Sequence, residues 1–202
     1  MSVTPKQFEQ MRERLGAAKR TPAPAFETSY RPGANNIQII IGVDPSLRGT
    51  GYGVIQLARP NPRALIHGTI VCPQGWTRSR CLAKIALTLR EVLAAYRPTV
   101  CAIEGLFYAQ NLQTAQIMGE ARGAALATLA EAGLEIFEIA PRKVKQAVVG
   151  YGAAQKLAVS KMVQRMLQLA EPPSPDAADA LAIALAFAQQ SRSAFGIGAK
   201  KI

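Results

Sequence analysis

The sequence contains very few of the side chains on which most hydrolases rely. Its 202 residues include a single histidine, His67, which lies within the apparent strand ALIHGTI. A histidine-rich zinc site needs several imidazoles and a serine triad needs a histidine base, so neither chemistry is supported. A lone histidine in a strand is more often a hydrogen-bonded core residue than a base.

Cysteines and long apolar runs are scarce as well. The three cysteines, Cys72, Cys81 and Cys101, form no Cys-x-x-Cys pair, which argues against a disulfide framework and a zinc knuckle. No apolar stretch reaches the ~20 residues of a membrane span, and the N-terminus has no apolar signal core. We therefore expect reduced thiols, a cytoplasmic location and no membrane partner. The three glutamates of residues 1–36 argue against an organellar targeting segment.

Acidic residues are also in deficit. The chain has 24 Lys and Arg against 13 Asp and Glu, a net charge of +11. The excess is not confined to the ends, because residues 37–189 carry 15 basic against 10 acidic side chains. A basic globular domain favours a polyanionic partner, since each phosphate that it neutralises releases counterions. The charge therefore predicts binding to nucleic acid.

The pattern of apolar residues predicts one α/β domain over residues 37–190, between a flexible basic arm (1–36) and a basic C-terminal tail (191–202). Three strands in succession with short turns indicate an antiparallel meander, and the later strands alternate with helices, which favours parallel pairing. The prediction is a five-stranded mixed sheet flanked by helices. The predicted strands are IQIIIGVD, YGVIQL, ALIHGTIVC, TVCAIE and LEIFEIA. The predicted helices are TRSRCLAKIALTLREVLAAY, LQTAQIMGEARGAALATLAEAG, PRKVKQAVV, AAQKLAVSKMVQRMLQL and PDAADALAIALAFAQQ, the first capped by Thr77.

Four carboxylates stand where a charge is locally out of place. Asp44 and Glu104 each end an apolar strand, and ligands of open α/β sheets bind beyond strand ends. Asp176 and Asp179 share one face of a helix that is apolar almost all round. Asp176 could simply favour the helix dipole after Ser174, but Asp179 lies too deep for capping, and an unpaired buried carboxylate is costly.

Four carboxylates without histidine or cysteine form a hard oxygen site, which suits Mg²⁺ or Mn²⁺ rather than zinc. In a basic protein that binds nucleic acid, such a site is best explained by hydrolysis of phosphodiester bonds. Two metal ions ~4 Å apart would activate water and stabilise the leaving oxygen.

From about Ile39 to Ala188 the chain resembles the RuvC family of crossover (Holliday) junction endodeoxyribonucleases. The segments that carry the resemblance are GVDPSLRGTGYGVI, AIEGLF, EARGAAL, VKQAVVGYGAAQK and DAADALAIAL, in the family's order. The resemblance implies a ribonuclease-H-like fold and a bacterial Mg²⁺-dependent homodimer, with two ions per subunit and Mn²⁺ able to substitute. Such enzymes nick two opposed strands of a four-way junction in homologous recombination and DNA repair. A branch-migration helicase complex of the same pathway is a further expected partner.

The resemblance also assigns individual residues. It places the four carboxylates on the family's metal ligands, Phe107 on an aromatic that stacks on bases near the junction centre, and Lys145 and Lys156 beside the scissile phosphate. Arg122 is expected to contact DNA. Four positions depart from the family pattern: Ser46, Gln110, Glu120 and Ala158. None of them is one of the four carboxylates.

The homodimer is expected to form across the helix LQTAQIMGEARGAALATLAEAG. Its small residues permit close approach of two helices, and its larger apolar residues could be shared between subunits, unless this face simply packs on its own sheet. The small residues are Ala121, Gly123, Ala124 and Ala125, and the larger ones are Ile117, Leu126 and Leu129.

Three other functions remain compatible with parts of the sequence. A junction-binding protein that does not cut would gain nothing from carboxylates beside phosphates. A phosphotransferase of the actin and sugar-kinase type places a similar turn after its first strand but needs two lobes. A ribonuclease-H-like nuclease with a different nucleic-acid substrate would share every one of these features.

Overall fold

The computed structural model describes residues 38–105, 111–190 and 199–202. In these ranges six strands form one sheet, and helices pack on both of its faces. The strands are β1 (Ile39–Asp44), β2 (Gly49–Gln56), β3 (Arg63–Val71), β4 (Val100–Glu104), β5 (Glu135–Ile139) and β6 (Lys200–Lys201). The helices are α1 (Arg78–Tyr96), α2 (Leu112–Glu131), α3 (Pro141–Val149), α4 (Lys156–Leu167) and α5 (Pro175–Gln190).

The predicted mixed sheet is confirmed, with the strand order β3-β2-β1-β4-β5-β6. β1, β2 and β3 pair antiparallel as a meander, and β1, β4 and β5 pair parallel. The parallel pairs put the carboxyl ends of β1 and β4 at the same edge of the sheet. That edge carries the first two predicted carboxylates.

The sheet has one strand more than the sequence predicts. Within the predicted basic tail, β6 pairs antiparallel with β5, so that Phe137 lies opposite Lys201 and Glu138 opposite Lys200. The Lys201 ammonium also lies 2.5 Å from a carboxylate oxygen of Glu135. A two-residue strand is too short to show an alternating pattern, and its position depends on β5, which is distant in sequence.

The predicted helix starts differ in how they are capped. Thr77 occupies the N-cap of α1, as predicted, but its side chain makes no capping hydrogen bond. At α2 the side chain of Asn111 does cap, because its carbonyl oxygen accepts the Thr114 N–H at 2.8 Å. The cap fixes the first turn of α2 a few residues after β4 ends.

Alternation along the strands divides the core into two layers. On one face Ile41, Val43 and Ile103 pack against α1 and α2. On the other face Ile40 and Val100 pack against α5, which α3 and α4 cover from outside. This second layer explains why α5 is apolar almost all round. Among the described residues, no helix has the length and apolarity to cross a membrane.

Candidate active site

Asp44 and Glu104 point to the same face of the sheet because strand side chains alternate with a period of two. Asp44 shares its face with Ile40, and Glu104 shares its face with Val100, and both of these residues pack toward α5. The parallel register pairs Val43 with Ile103, so the next residues of the two strands, the two acids, are neighbours. Their carboxyl groups are close enough for each to affect the pKa of the other.

Glycines allow α5 to lie directly on β1 and β2. A β-carbon on Gly42 would lie 2.0 Å from the carbonyl oxygen of Ala180, and one on Gly51 would lie 2.0 Å from that of Asp176. A third, on Gly53, would lie 2.6 Å from the side chain of Leu181. No real β-carbon tolerates such distances, so these three positions must lack a side chain. The close approach carries the first turns of α5 to the carboxylate edge.

α5 delivers its two aspartates to different positions at this edge. Asp179 lies close enough to Asp44 and Glu104 for its charge to raise the pKa of both. Asp176 lies in the first turn, further out, where its carboxylate is next to the position of Gly49. Its charge makes only the smallest contribution to the pKa of Asp44. The structure therefore brings Asp44, Glu104 and Asp179 together and leaves Asp176 at the margin.

Burial of Asp44 and Glu104 raises their affinity for protons. The pKa of Asp44 rises to about 6, first because of burial and then because of the Asp179 charge. The pKa of Glu104 rises to about 8, again mainly through burial, with the Asp44 charge as the next cause. Removal of two carboxylates from water without enough neighbouring positive charge produces this effect. The Lys156 charge lowers both pKa values and offsets only part of this rise.

The two predicted lysines have different environments. Lys156, at the start of α4, places its ammonium 3.0 Å from a carboxylate oxygen of Asp179 while its side chain stays 75% exposed. The hydrogen bond and charge of Asp179 raise the pKa of Lys156, so it remains a cation. Lys145 is half-buried on α3, and in the described ranges no ion pair or hydrogen bond joins it to the carboxylates. Lys156 is thus the lysine that the structure brings to the site.

The expectation that Arg122 contacts DNA does not fit its position. Arg122 is 6% exposed, with its guanidinium inside the protein. One terminal nitrogen donates to the main-chain carbonyl of Glu104, and the other lies 2.5 Å from a carboxylate oxygen of Glu138. The next peptide is held as well, because the Gly105 N–H donates to the Ile139 carbonyl at 2.9 Å. Arg122 fixes the end of β4 rather than facing a ligand.

The sequence does not single out Glu138, because it lies inside β5 and not at the end of a strand as Asp44 and Glu104 do. An acid inside an apolar strand is the signal that could have identified it. Three of the four positions that depart from the family pattern lie in the described region, and none of them disturbs the surrounding structure. Ser46 is exposed in a turn closed by Thr50, and Glu120 lies 3.0 Å from Arg78, which offsets its charge. Ala158 is half-buried on α4. The predicted residues Phe107 and Gln110 lie outside the described ranges.

The donor set fits a hard divalent cation by chemistry and by charge. Every candidate ligand is a carboxylate oxygen, which Mg²⁺ and Mn²⁺ prefer, and a bound cation would offset the burial and mutual repulsion that raise the pKa values of Asp44 and Glu104. In the described part of the chain, no three acidic, histidine or cysteine side chains stand close enough together to hold an ion as they are placed. Binding would therefore require the carboxylates to turn toward a common point.

Comparison with known proteins gives consistent matches. A sequence profile described as "Crossover junction endodeoxyribonuclease RuvC" matches residues 40–187. The protein of that name from Rubrobacter xylanophilus is 41% identical over 169 residues, which cover 82% of this chain and 94% of the relative. The one from Akkermansia muciniphila is 44% identical over 146 residues, which cover 72% and 87%. The structure titled "T. thermophilus RuvC in complex with Holliday junction substrate" has a TM-score of 0.75 at 33% identity, over 82% of this chain and 99% of that one.

Proposed function

This chain belongs to the RuvC family of crossover junction endodeoxyribonucleases, and on that premise we propose that its carboxylate cluster resolves four-way (Holliday) DNA junctions by paired nicks in homologous recombination and DNA repair. The observation that carries the proposal is the meeting of Asp44, Glu104 and Asp179 at one edge of the sheet. The matched relatives are named for this activity, and one was solved with a junction. The chain is thus a metal-dependent nuclease that acts on DNA junctions.

The metal ligands in this proposal are Asp44, Glu104, Asp176 and Asp179, with Mg²⁺ as the ion, two per subunit, and Mn²⁺ able to replace it. Bound divalent ions supply an activated water and charge stabilisation for the leaving oxygen. Of the four, Asp176 stands in the first turn of α5, and its charge has the smallest effect on the pKa of Asp44. The all-oxygen donor set and the repulsion among the buried carboxylates at Asp44 and Glu104 support this assignment.

The chain's own cations and aromatic residues complete the mechanism. Lys156 holds Asp179 through its ion pair and adds positive charge where the scissile phosphate would enter. Lys145 is proposed as a second phosphate contact from α3. Phe107 is proposed to stack on bases at the crossover, where base stacking contributes ~1–3 kcal/mol per base. The Phe107→Ala variant should therefore lose junction cutting while retaining metal binding.

A homodimer is the assembly that we propose, because two opposed strands need two sites, and a C₂ pair presents both at once. Part of the predicted interface on α2 is already used within the subunit. Ala121, Ala125 and Leu129 are fully buried in the chain's own core. The remaining surface includes Gly123, which is exposed with open space above its α-carbon. Light scattering should give twice the chain mass, and a monomer bound singly to a junction would contradict paired incision.

The deciding experiment is cleavage of a mobile four-way junction in Mg²⁺, with the products mapped on all four strands. We expect symmetric nicks in two strands of like polarity and no cutting by Glu104→Gln. Duplex, flap and RNA-hybrid substrates are the controls, since a related nuclease would prefer one of them. A wild-type protein that binds junctions but never cuts them would instead identify a binding protein. Adding the branch-migration helicase complex would test whether that complex is a partner.

A further inference from the structure

The connection between β3 and α1 lies at the same edge of the sheet as the carboxylates. β2 begins beside the end of β1, and its first residue, Gly49, pairs with Val71 at the end of β3. Arg48 follows Asp44 by four residues and accepts the Cys72 N–H on its carbonyl at 3.0 Å. Residues 73–77 therefore start at the catalytic edge and lead into α1.

The side chain of Arg48 holds this connection in place. Its guanidinium donates to the carbonyl of Pro73 at 2.5 Å and to the carbonyl of Trp76 at 3.2 Å. The Trp76 N–H closes the turn on the Pro73 carbonyl at 3.1 Å. An arginine bound to two carbonyls of one short loop makes that loop a fixed feature of the surface.

Trp76 supports two cations on this fixed loop. The guanidinium carbon of Arg80 lies 3.9 Å from the centre of the indole ring, and the ammonium of Lys84 lies 5.3 Å from it. Lys84 also donates to the Val71 carbonyl at 2.9 Å, which anchors it without neutralising its charge. Among the described residues no carboxylate forms an ion pair with either cation, whereas the neighbouring Arg78 has Glu120. We call Trp76, Arg80 and Lys84 the Trp76 platform.

We propose that the Trp76 platform binds the sugar-phosphate backbone of one duplex arm of the junction. The proposal rests on the proposed function, because the platform lies at the sheet edge that carries the carboxylates, where an arm would leave the crossover. Two unpaired cations held by a ring and a carbonyl need little further ordering to meet phosphates. The arm provides phosphates at close spacing, and each contact would release counterions.

The platform carries its own reporter, since Trp76 is the only tryptophan of the chain. Intrinsic fluorescence should change in a saturable way when a junction with long arms is titrated into the full-length protein in a chelating buffer. As the arms are shortened stepwise in annealed junctions, the change should be lost once the arm no longer reaches the platform, while binding at the crossover persists. An unchanged emission with long arms at saturation would overturn the proposal.

Charge variants provide the second test. The Arg80→Gln/Lys84→Gln double variant removes both platform cations. Its matched control is Arg63→Gln/Arg97→Gln, which removes two exposed cations from the opposite end of the sheet, where Arg63 pairs with Gln56. The slope of log affinity against log salt should become shallower by about 2 for the platform variant on long arms. Short-armed junctions should show no difference between the two variants.

Failure of the inference and failure of the proposed function give different results. If the platform and control variants have equal salt slopes while wild type cuts junctions, the platform does not bind an arm, and the nuclease assignment stands. If wild type never cuts but the platform still senses long arms, the nuclease assignment fails alone. A polyglutamate peptide that alters the emission when DNA does not would assign the platform to an acidic protein instead.

Discussion

A β-carbon on Gly51 would lie 2.0 Å from the carbonyl oxygen of Asp176, so β2 and the first turn of α5 are in direct backbone contact. The contact fixes how far α5 reaches toward the carboxylate edge. It therefore couples the packing of the core to the position of two proposed metal ligands.

The Gly51→Ala variant is expected to push the start of α5 off the sheet. Overpacking of this kind costs ~1–3 kcal/mol, and the displaced Asp176 and Asp179 should lower the cleavage rate. Chemical denaturation in chelator and a junction cleavage assay measure the two effects. Gly75→Ala is the control for the stability measurement, because open space surrounds the α-carbon of Gly75. A Gly51→Ala protein with wild-type stability and rate would mean that the contact is not structurally important.

Neutralising single carboxylates should separate cutting from binding. Asp44→Asn, Glu104→Gln and Asp179→Asn should each reduce cleavage by more than ~100-fold, since changes to the outer shell of metal sites alone cost 10–100-fold. Junction affinity should stay the same or rise, because each change removes a negative charge beside phosphates. Single-turnover rates and gel-shift affinities test this. Near-normal cutting by any variant would remove that residue from the ligand set.

The stability of the metal-free protein should fall as the pH rises. Asp44 and Glu104 have pKa values of about 6 and 8 in the folded chain, against ordinary values of 3.8 and 4.5. The folded state therefore holds these protons more tightly than the unfolded state, and the stabilisation is lost between pH about 4 and about 8. Melting temperatures in chelator should show the fall.

Asp44→Asn/Glu104→Gln is the control for this pH dependence, because it removes both titrating groups and should flatten the profile. Added Mg²⁺ should stabilise wild type more at pH 8 than at pH 6, since ions bind the deprotonated carboxylates. A wild-type melting temperature that rises through this range would contradict the assigned pKa directions.

Arg122 should act as a positioning residue rather than a DNA contact. The Arg122→Lys variant keeps the charge but cannot reach both the Glu104 carbonyl and Glu138. We expect a ~10–100-fold loss of cleavage, a higher Mg²⁺ requirement and an unchanged salt dependence of junction binding. Glu138→Gln should shift the Mg²⁺ requirement in the same direction.

The matched control for Arg122 is Arg90→Lys, which alters the exposed ion pair with Glu131. It should change neither cleavage nor the Mg²⁺ requirement, because surface pairs contribute little. A shallower salt slope for Arg122→Lys would restore the interpretation of Arg122 as a DNA contact.

The sequence alone determined the order of the elements from β1 to α5 and where the carboxylates stand along them. Asp44 and Glu104 are identifiable because each ends an apolar strand, where burying an unpaired carboxylate lowers the stability of the fold. Asp179 is identifiable because it interrupts a helix that is otherwise apolar. The period of two along a strand and the switch to helical spacing are local properties, so they can be read without knowing what packs on what.

Only the tertiary structure decided which groups meet. The Arg122 guanidinium donates a hydrogen bond to the main-chain carbonyl of Glu104, and no residue pattern indicates such a bond. From the sequence, Arg122 was therefore expected to contact DNA. The closeness of Gly51 to Asp176 and the pairing of β6 with β5 join segments that are far apart in the chain. Arg80 and Lys84 lie over Trp76 at the sheet edge that carries the carboxylates, a placement that only the fold shows. These relationships depend on packing distances of a few ångströms, which are set by the fold as a whole and not by any local pattern.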